Sequence, residues 1–324
     1  MSKTVKISTT AAGAMALVFT LAACGGGEDP LSSGGDAGAV TVGAANFPES
    51  EILGQLYAQV LKEHGVQVEF QGGIGARDVY LAALEAGDID IVPEYSGNAA
   101  QFYATGQPQE AQLTAGATAE DVENVLADVL PEGVEAGEAA PAESKDSYRV
   151  SATFAEEHDL RTLEDLARLA ESQTITLAGN PELETRPYGP KGLDEVYGVP
   201  ADKIEFTAIS DGGGPLTVGA LKDGSVDVAD IYTTSPVLDR GGNEVDVVEL
   251  EDTKRLVLSQ HVIPLLRTET FDGLSQEAKD ALVELQKALT TEDLKAMNQR
   301  NSGEEKAEPA VIATDWLKEK GLAG

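Results

Sequence analysis

Apolar residues recur along the chain in short runs that alternate with stretches at helical spacing, the rhythm of an α/β protein. Val40 and Val42 form the first run. Ile52, Leu53, Leu56, Tyr57, Val60 and Leu61 then share one face of a helix. Pro48 suits the first turn of that helix, where its missing N–H costs nothing, and Gly65 ends it. A strand is predicted over residues 66–70. A second helix ends at Leu84 and is stopped by Gly87, because glycine enters the left-handed region freely. Ile89, Ile91 and Val92 read as a buried strand. Pro93 cannot donate to a ladder and is expected to end it, leaving Glu94, Tyr95 and Ser96 in a loop. In open α/β sheets, ligands bind at such strand ends.

This unit occurs twice. Residues 220–228 repeat residues 83–91 at a constant offset, which places Tyr95 on Tyr232 and Ser96 on Thr233. Two lobes follow, each presenting a tyrosine and a hydroxyl at a strand end, with a ligand between them. The plainer alternative is two unrelated units whose tyrosines only pack.

The remaining pattern fills in both lobes. Thr118 with Asp121 and Thr162 with Asp165 have the spacing of helix-capping pairs. Residues 131–147 are small, acidic and proline-containing, as a crossover between lobes would be. Strands are predicted over 174–178 and 204–209. Asp211, three glycines and Pro215 turn the chain into the helix before Gly224. Residues 245–250 and 262–266 read as strands returning to the first lobe, and helices finish the chain. The expected organisation is 1–23 signal, 24–38 tether, 39–140 plus 236–324 first lobe, and 141–235 second lobe. Tyr57, Tyr80, Tyr103 and Tyr197 fall within helices and read as packing residues; Phe47 fits packing or ligand contact.

Composition narrows the function. The chain carries 23 Lys+Arg against 56 Asp+Glu, a net charge of −33. That balance argues against nucleic acid and anionic lipid as partners and allows steering of a cation. Lys3 and Lys6 precede a short apolar run that ends Leu21-Ala22-Ala23-Cys24-Gly25. The run is too short for a stable membrane span. Its end resembles a bacterial lipobox, which implies cleavage before Cys24 and lipid on its sulfur. Cys24 is the only cysteine, so no intramolecular disulfide forms. The Gly-, Ser- and Asp-rich stretch after it cannot build a core and reads as a flexible tether. The protein is therefore expected outside the cytoplasm, anchored to the membrane rather than spanning it.

Enzyme chemistry finds little support. His64, His158 and His261 are far apart, without metal-ligand spacing, and no Gly-x-Ser-x-Gly elbow occurs. The glycine run at residues 72–75 lacks the Gly-Lys-Ser/Thr ending of a phosphate loop and reads as a tight helix entry. Neither a cofactor nor a metal is expected.

Asn46-Phe47-Pro48-Glu49-Ser50 and Pro93-Glu94-Tyr95-Ser96-Gly97 together resemble a known family. So do Asp146-Ser147-Tyr148, Arg186-Pro187-Tyr188-Gly189 and the stretch from Val226 to Thr234. The chain is similar to the substrate-binding lipoproteins of ABC importers for quaternary-ammonium osmoprotectants such as glycine betaine, choline and carnitine. The resemblance implies a two-lobed, type II periplasmic-binding-protein fold with a two-stranded hinge, and an ABC permease as partner. It also implies an aromatic box, since a quaternary ammonium donates no hydrogen bonds and is held by ring faces. Tyr95, Tyr232 and Tyr148 match box positions, and Asp146 matches an acid near the cation. Ser96 and Arg186 match groups for the ligand's polar end or for closure. Asn46 and Phe47 belong to the first motif, and Thr233 to the last. Ala45 stands where many members carry a lysine, Ser50 replaces a frequent glutamine, and Glu184 stands where many carry an aromatic, for which Tyr188 is a substitute. The alternatives are a receptor of this fold for another small solute, or a structural lipoprotein.

Overall fold

The computed structural model describes residues 38–108 and 113–324. The signal, Cys24 and the tether as far as residue 37 lie outside the described residues. No helix among the described residues is long and apolar enough to cross a membrane.

Two five-stranded sheets organise the chain. The first contains β1 (Val40–Gly43), β2 (Val68–Gln71), β3 (Ile91–Tyr95), β4 (Val134–Ala136) and β10 (Val262–Arg267), in the order β2-β1-β3-β10-β4. The second contains β5 (Tyr148–Ser151), β6 (Ile175–Gly179), β7 (Ile204–Ala208), β8 (Val228–Asp230) and β9 (Val247–Glu249), in the order β7-β6-β8-β5-β9. Both have parallel pairs on one side and antiparallel pairs on the other, so β3 and β8 occupy equivalent central places. The repeat read from the sequence is thus a repeat of sheet position.

Helices cover both faces of each sheet, which is why the central strands β3 and β8 are buried throughout. In the first lobe, α1 (Pro48–Glu63) and the C-terminal helices build one core around Leu53, Tyr57 and Trp316. On the other face, α2 (Arg77–Ala86), α3 (Ser96–Ala104) and α4 (Ala119–Val129) enclose Leu84, Val92 and Leu126. The second lobe has the same layering. Thr118 and Thr162 form the expected capping boxes, and Thr290 with Asp293 forms a third. This is the expected α/β fold of two lobes.

The hinge is built from two antiparallel segments. Ala140 N–H donates to Val262 O, Val262 N–H to Ala142 O and Ser144 N–H to Gln260 O, at 2.9, 3.0 and 3.2 Å. The exit of β8 runs alongside, with Ile231 N–H on Ser147 O and Thr233 N–H on Lys145 O.

Two expectations are corrected. Pro93 does not end its strand: β3 continues to Tyr95, and Ser96 opens α3 directly. Pro93 lies opposite Pro264, and Pro264 O turns away to accept from Gly137 N–H. Every second opposed couple of an antiparallel pair exchanges no hydrogen bond, so two prolines fit there. The second correction concerns the return to the first lobe, expected from residue 236. β9 pairs with β5 in the second sheet, and the chain crosses back only near residues 258–262. Strand pairing decides this, and the apolar pattern of residues 245–250 is the same for either sheet.

Gly97 marks where α3 meets the hinge. A Cβ there would stand 2.5 Å from Ser259 O and 2.7 Å from Gln260 Nε2. Gly219, inside a helix, has nothing within 4 Å. Gly97→Ala is expected to cost about 1–3 kcal/mol through overpacking, whereas Gly219→Ala gains roughly 0.5–1 kcal/mol from helix propensity. Denaturant midpoints check the pair, and equal shifts would contradict the assigned contact.

Candidate functional site

The site is assembled where strand ends and helix starts of both lobes face the hinge. In the first lobe, Glu94 is fully buried in β3. Its carboxylate accepts from Arg77 Nε at 2.6 Å, from the Tyr80 hydroxyl and from Tyr95 N–H at 2.6 Å. Arg77 opens α2, so the ion pair ties the helix start to the strand end. Burial acts against the Arg77 charge, but the Glu94 carboxylate together with Tyr80 and Tyr188 outweighs it and holds the pKa well above the usual value.

Tyr95 stacks on Phe47 at 6.4 Å between ring centroids. Its hydroxyl donates to Glu49 Oε1 at 2.6 Å. Glu49 sits in the first turn of α1, where the helix dipole favours an anion. Its other oxygen accepts from Thr234 Oγ1 at 2.6 Å and from Asn298 Nδ2. Burial, followed by the Glu49 carboxylate, pushes the Tyr95 phenol well up.

The second lobe and the hinge contribute Asp146, Tyr148, Arg186, Tyr188 and Tyr232. The Tyr148 hydroxyl donates to Tyr188 O. The buried Tyr188 hydroxyl accepts from Arg186 Nη1 and lies 2.9 Å from Asp146 Oδ2. Arg186 is 3.8 Å from Asp146, and its guanidinium carbon is 5.6 Å from the Tyr188 ring centroid. Asn180 Nδ2 donates to the Tyr232 hydroxyl at 3.0 Å, while Asn180 Oδ1 accepts from Gly212 N–H. Burial, then Asp146 and Asp230, pushes the Tyr232 phenol up, so its ring stays neutral. Burial followed by the Asp146 carboxyl does the same to Tyr188.

Bonds across the lobes join these groups: Tyr188 Oη to Asn98 Oδ1 at 3.1 Å, Thr234 Oγ1 to Glu49, and Asn298 Nδ2 to Thr234 O at 3.2 Å. The structure therefore brings together Asp146, Tyr148, Arg186, Tyr188 and Tyr232, while Tyr95, with Phe47 at its edge, is joined to the second lobe only through Glu49 and Thr234. Three expected residues stand apart. Asn46 is exposed. The Ser96 hydroxyl is engaged with Ser259 O and His261 N–H, and Thr233 Oγ1 accepts from Lys145 N–H, so both hold hinge backbone. Glu184 is exposed, whereas Tyr188 lies at the centre. Tyr80 is buried as expected of a packing residue, yet it also fixes Glu94.

Sequence reasoning passed over Arg77, Asn98, Asn180 and Asp230, and placed Glu94 at a strand end without giving it a role. Asp230 left a trace: it is a carboxyl inside an otherwise apolar run, at the repeat position that Pro93 fills in the first unit.

A cavity of about 650 Å³ lies on the other side of β5, lined by Arg149, Thr233, Glu249 and Lys295 among others. Alternation along the strand sends Tyr148 to the tyrosine cluster and Arg149 to this cavity. Size favours it as a ligand site. Chemistry does not: Arg149 is paired with Glu249 at 3.2 Å, Lys295 with Glu292 at 2.9 Å, and no aromatic ring lines it.

Residues 38–319 match the family described as the substrate-binding domain of ABC-type glycine betaine transport systems. The glycine betaine-binding protein YehZ of Escherichia coli is 28% identical over 297 residues, covering 88% of this chain and 92% of that protein. A glycine-betaine-binding protein of Pseudomonas aeruginosa is 28% identical over 292 residues, covering 87% and 88%. The crystal structure of a glycine betaine/carnitine/choline ABC transporter superposes with a TM-score of 0.68 at 18% identity, over 87% of this chain and 99% of that one, and it bears on the fold alone.

The Arg77–Glu94 pair yields a prediction. Arg77→Met strands a buried carboxylate and is expected to cost about 3–5 kcal/mol in denaturant unfolding. Adding Glu94→Gln should recover part of the loss. A double variant as unstable as the sum of the single ones would show that the two side chains act independently.

Proposed function

Because the chain belongs to the family of substrate-binding domains of ABC-type glycine betaine transport systems, we infer that it is a receptor that captures a quaternary-ammonium compatible solute between its lobes and delivers it to an ABC permease. It binds the solute and performs no chemistry on it. The observation that carries this reading is the position of Arg186. A cation already lies near the Tyr188 ring and beside the Asp146 carboxylate, the two kinds of contact a ligand ammonium needs. Tyr148, Tyr188 and Tyr232 supply neutral rings around that place, and in this reading Tyr95, with Phe47 behind it, faces them from the first lobe. Ser96 and Thr233 act at one remove, by fixing the hinge strands. Burial of Tyr188 and its bond to Asn98 mean that the lobes must part before a solute enters.

The ligand is predicted to be a cation or zwitterion with a trimethylated nitrogen. Trimethylated compounds should bind better than dimethylated ones, and the primary amine worst, because each restored N–H must be stripped of water. Tyr232→Ala should weaken binding by about 1–2 kcal/mol or more, and Tyr232→Phe much less, since the ring face remains. Calorimetry with choline, glycine betaine and their less methylated analogues measures both series. Tightest binding of the primary amine, or equal behaviour of the Ala and Phe variants, would refute the aromatic box.

Substrate-binding proteins of ABC importers act outside the cytoplasm. We place this one at the membrane through lipid on Cys24, supported by the Leu21-Ala22-Ala23-Cys24 motif and the glycine-rich tether that follows. Cys24→Ser should leave the protein unprocessed or release it from the membrane fraction, and unchanged lipid labelling would exclude the anchor.

A further inference from the structure

Glu49 is a buried carboxylate of the first lobe that the proposed binding role does not use. Only 7% of the residue is exposed. Three donors converge on its two oxygens. The Tyr95 hydroxyl gives its proton to Oε1 at 2.6 Å. Thr234 Oγ1 donates to Oε2 at 2.6 Å, and Asn298 Nδ2 joins it there. Hydroxyl bonds this short mark an ionised acceptor. All three partners are neutral, and among the described residues no Lys, Arg or His is paired with Glu49.

The carboxylate is fixed in place from behind. Asn298 Nδ2 also reaches Thr234 O at 3.2 Å, and the Thr234 hydroxyl lies 2.8 Å from Ser144 Oγ of the hinge. Thr234 gives its one proton to Glu49, so the Ser144 hydroxyl donates to Thr234. Oε2 is thus tied to the hinge, to the exit of β8 and to the helix Thr291–Ser302, while Oε1 faces Tyr95. Tyr95 in turn is held at three points. Its N–H donates to Glu94, its ring stacks on Phe47 and its hydroxyl binds Glu49. One turn further along α3, Asn98 meets the Tyr188 hydroxyl of the second lobe. A phenol that donates to a carboxylate is polarised, which deepens the negative face of its ring. A cation against that face is favoured, and a neutral group of the same shape much less so.

We propose that Glu49 is a positioning residue that determines specificity: through the Tyr95 hydroxyl it fixes the ring and makes the first lobe favour a cation over a neutral solute of the same shape. This rests on the reading in which Tyr95 faces a quaternary ammonium. Glu49 does not touch the solute. Its effect passes through one hydrogen bond, which separates its role from that of Asp146, the acid beside the cation.

Choline and dimethylbutanol, its neutral carbon isostere, form the test pair. Calorimetry measures choline, and displacement of choline measures the isostere. Glu49→Gln keeps the size of the side chain and removes the charge. It should weaken choline by about tenfold and the isostere by less than about twofold. Tyr95→Phe deletes the same bond, keeps the ring and leaves Glu49 untouched. It should shift the ratio of the two affinities by a similar factor, and it decides the question alone if Glu49→Gln does not fold. The double variant should bind choline no more weakly than either single one, since both act through one bond. Equal weakening of choline and the isostere would make Glu49 a purely structural residue and overturn the proposal. Losses that add in the double variant would overturn it too. Failure of the wild-type protein to bind choline, glycine betaine or related trimethylated compounds would instead sink the ligand reading, and this proposal with it.

Discussion

A single hydroxyl connects the two lobes and the hinge. Tyr188 Oη accepts from Arg186 and has one proton to offer, with Asp146 of the hinge at 2.9 Å and Asn98 of the first lobe at 3.1 Å. The shared proton makes the contact between lobes compete with the contact inside the second lobe. A bond to Asn98 that is lost when the lobes part is replaced by the bond to Asp146, so no buried hydroxyl is left without a partner. Opening therefore costs little at this point. In the proposed role, that exchange leaves the bond from Thr234 to Glu49 as the stronger contact between the lobes.

The rest of the framework holds that hydroxyl in place. Equivalent sheets put β3 and β8 at the same position in each lobe, and their ends bring Tyr95, Asp230 and Tyr232 toward the hinge. Buried charge is managed locally. Glu94 is held by Arg77, Tyr80 and a backbone N–H, and Glu49 by two hydroxyls, an amide and the start of α1. Each carboxylate has enough donors to offset much of the cost of leaving water.

The surplus of acid over base across the chain plays a different role. Most of those charges are on solvated surfaces, where salt screens them within about 10 Å. They favour the approach of a cation. In the proposed role, affinity depends instead on the few charges that are buried beside the rings.

Much of the fold is legible in the sequence. Helical and strand periodicities, capping pairs and the repeated helix–strand–tyrosine unit carry the α/β class, the two lobes and the central strands, because burial on one face or two is written in local spacing. Tyr95 and Tyr232 were visible for the same reason, and Arg186, Asp146 and Tyr148 through family motifs. Tertiary structure alone decided the rest. Pro93 stays in its strand because Pro264, far along the chain, leaves that couple without ladder bonds. β9 belongs to the second sheet because β5 offers it an edge. The Ser96 and Thr233 hydroxyls serve the hinge because their partners, Ser259, His261 and Lys145, arrive from other segments. Asp146 meets Tyr188 and Arg186 only when the hinge folds beside the second lobe. A pattern along one segment records how that segment is buried. It carries no information about which distant group will face it, and on that the charge state of a carboxyl and the partner of a hydroxyl depend.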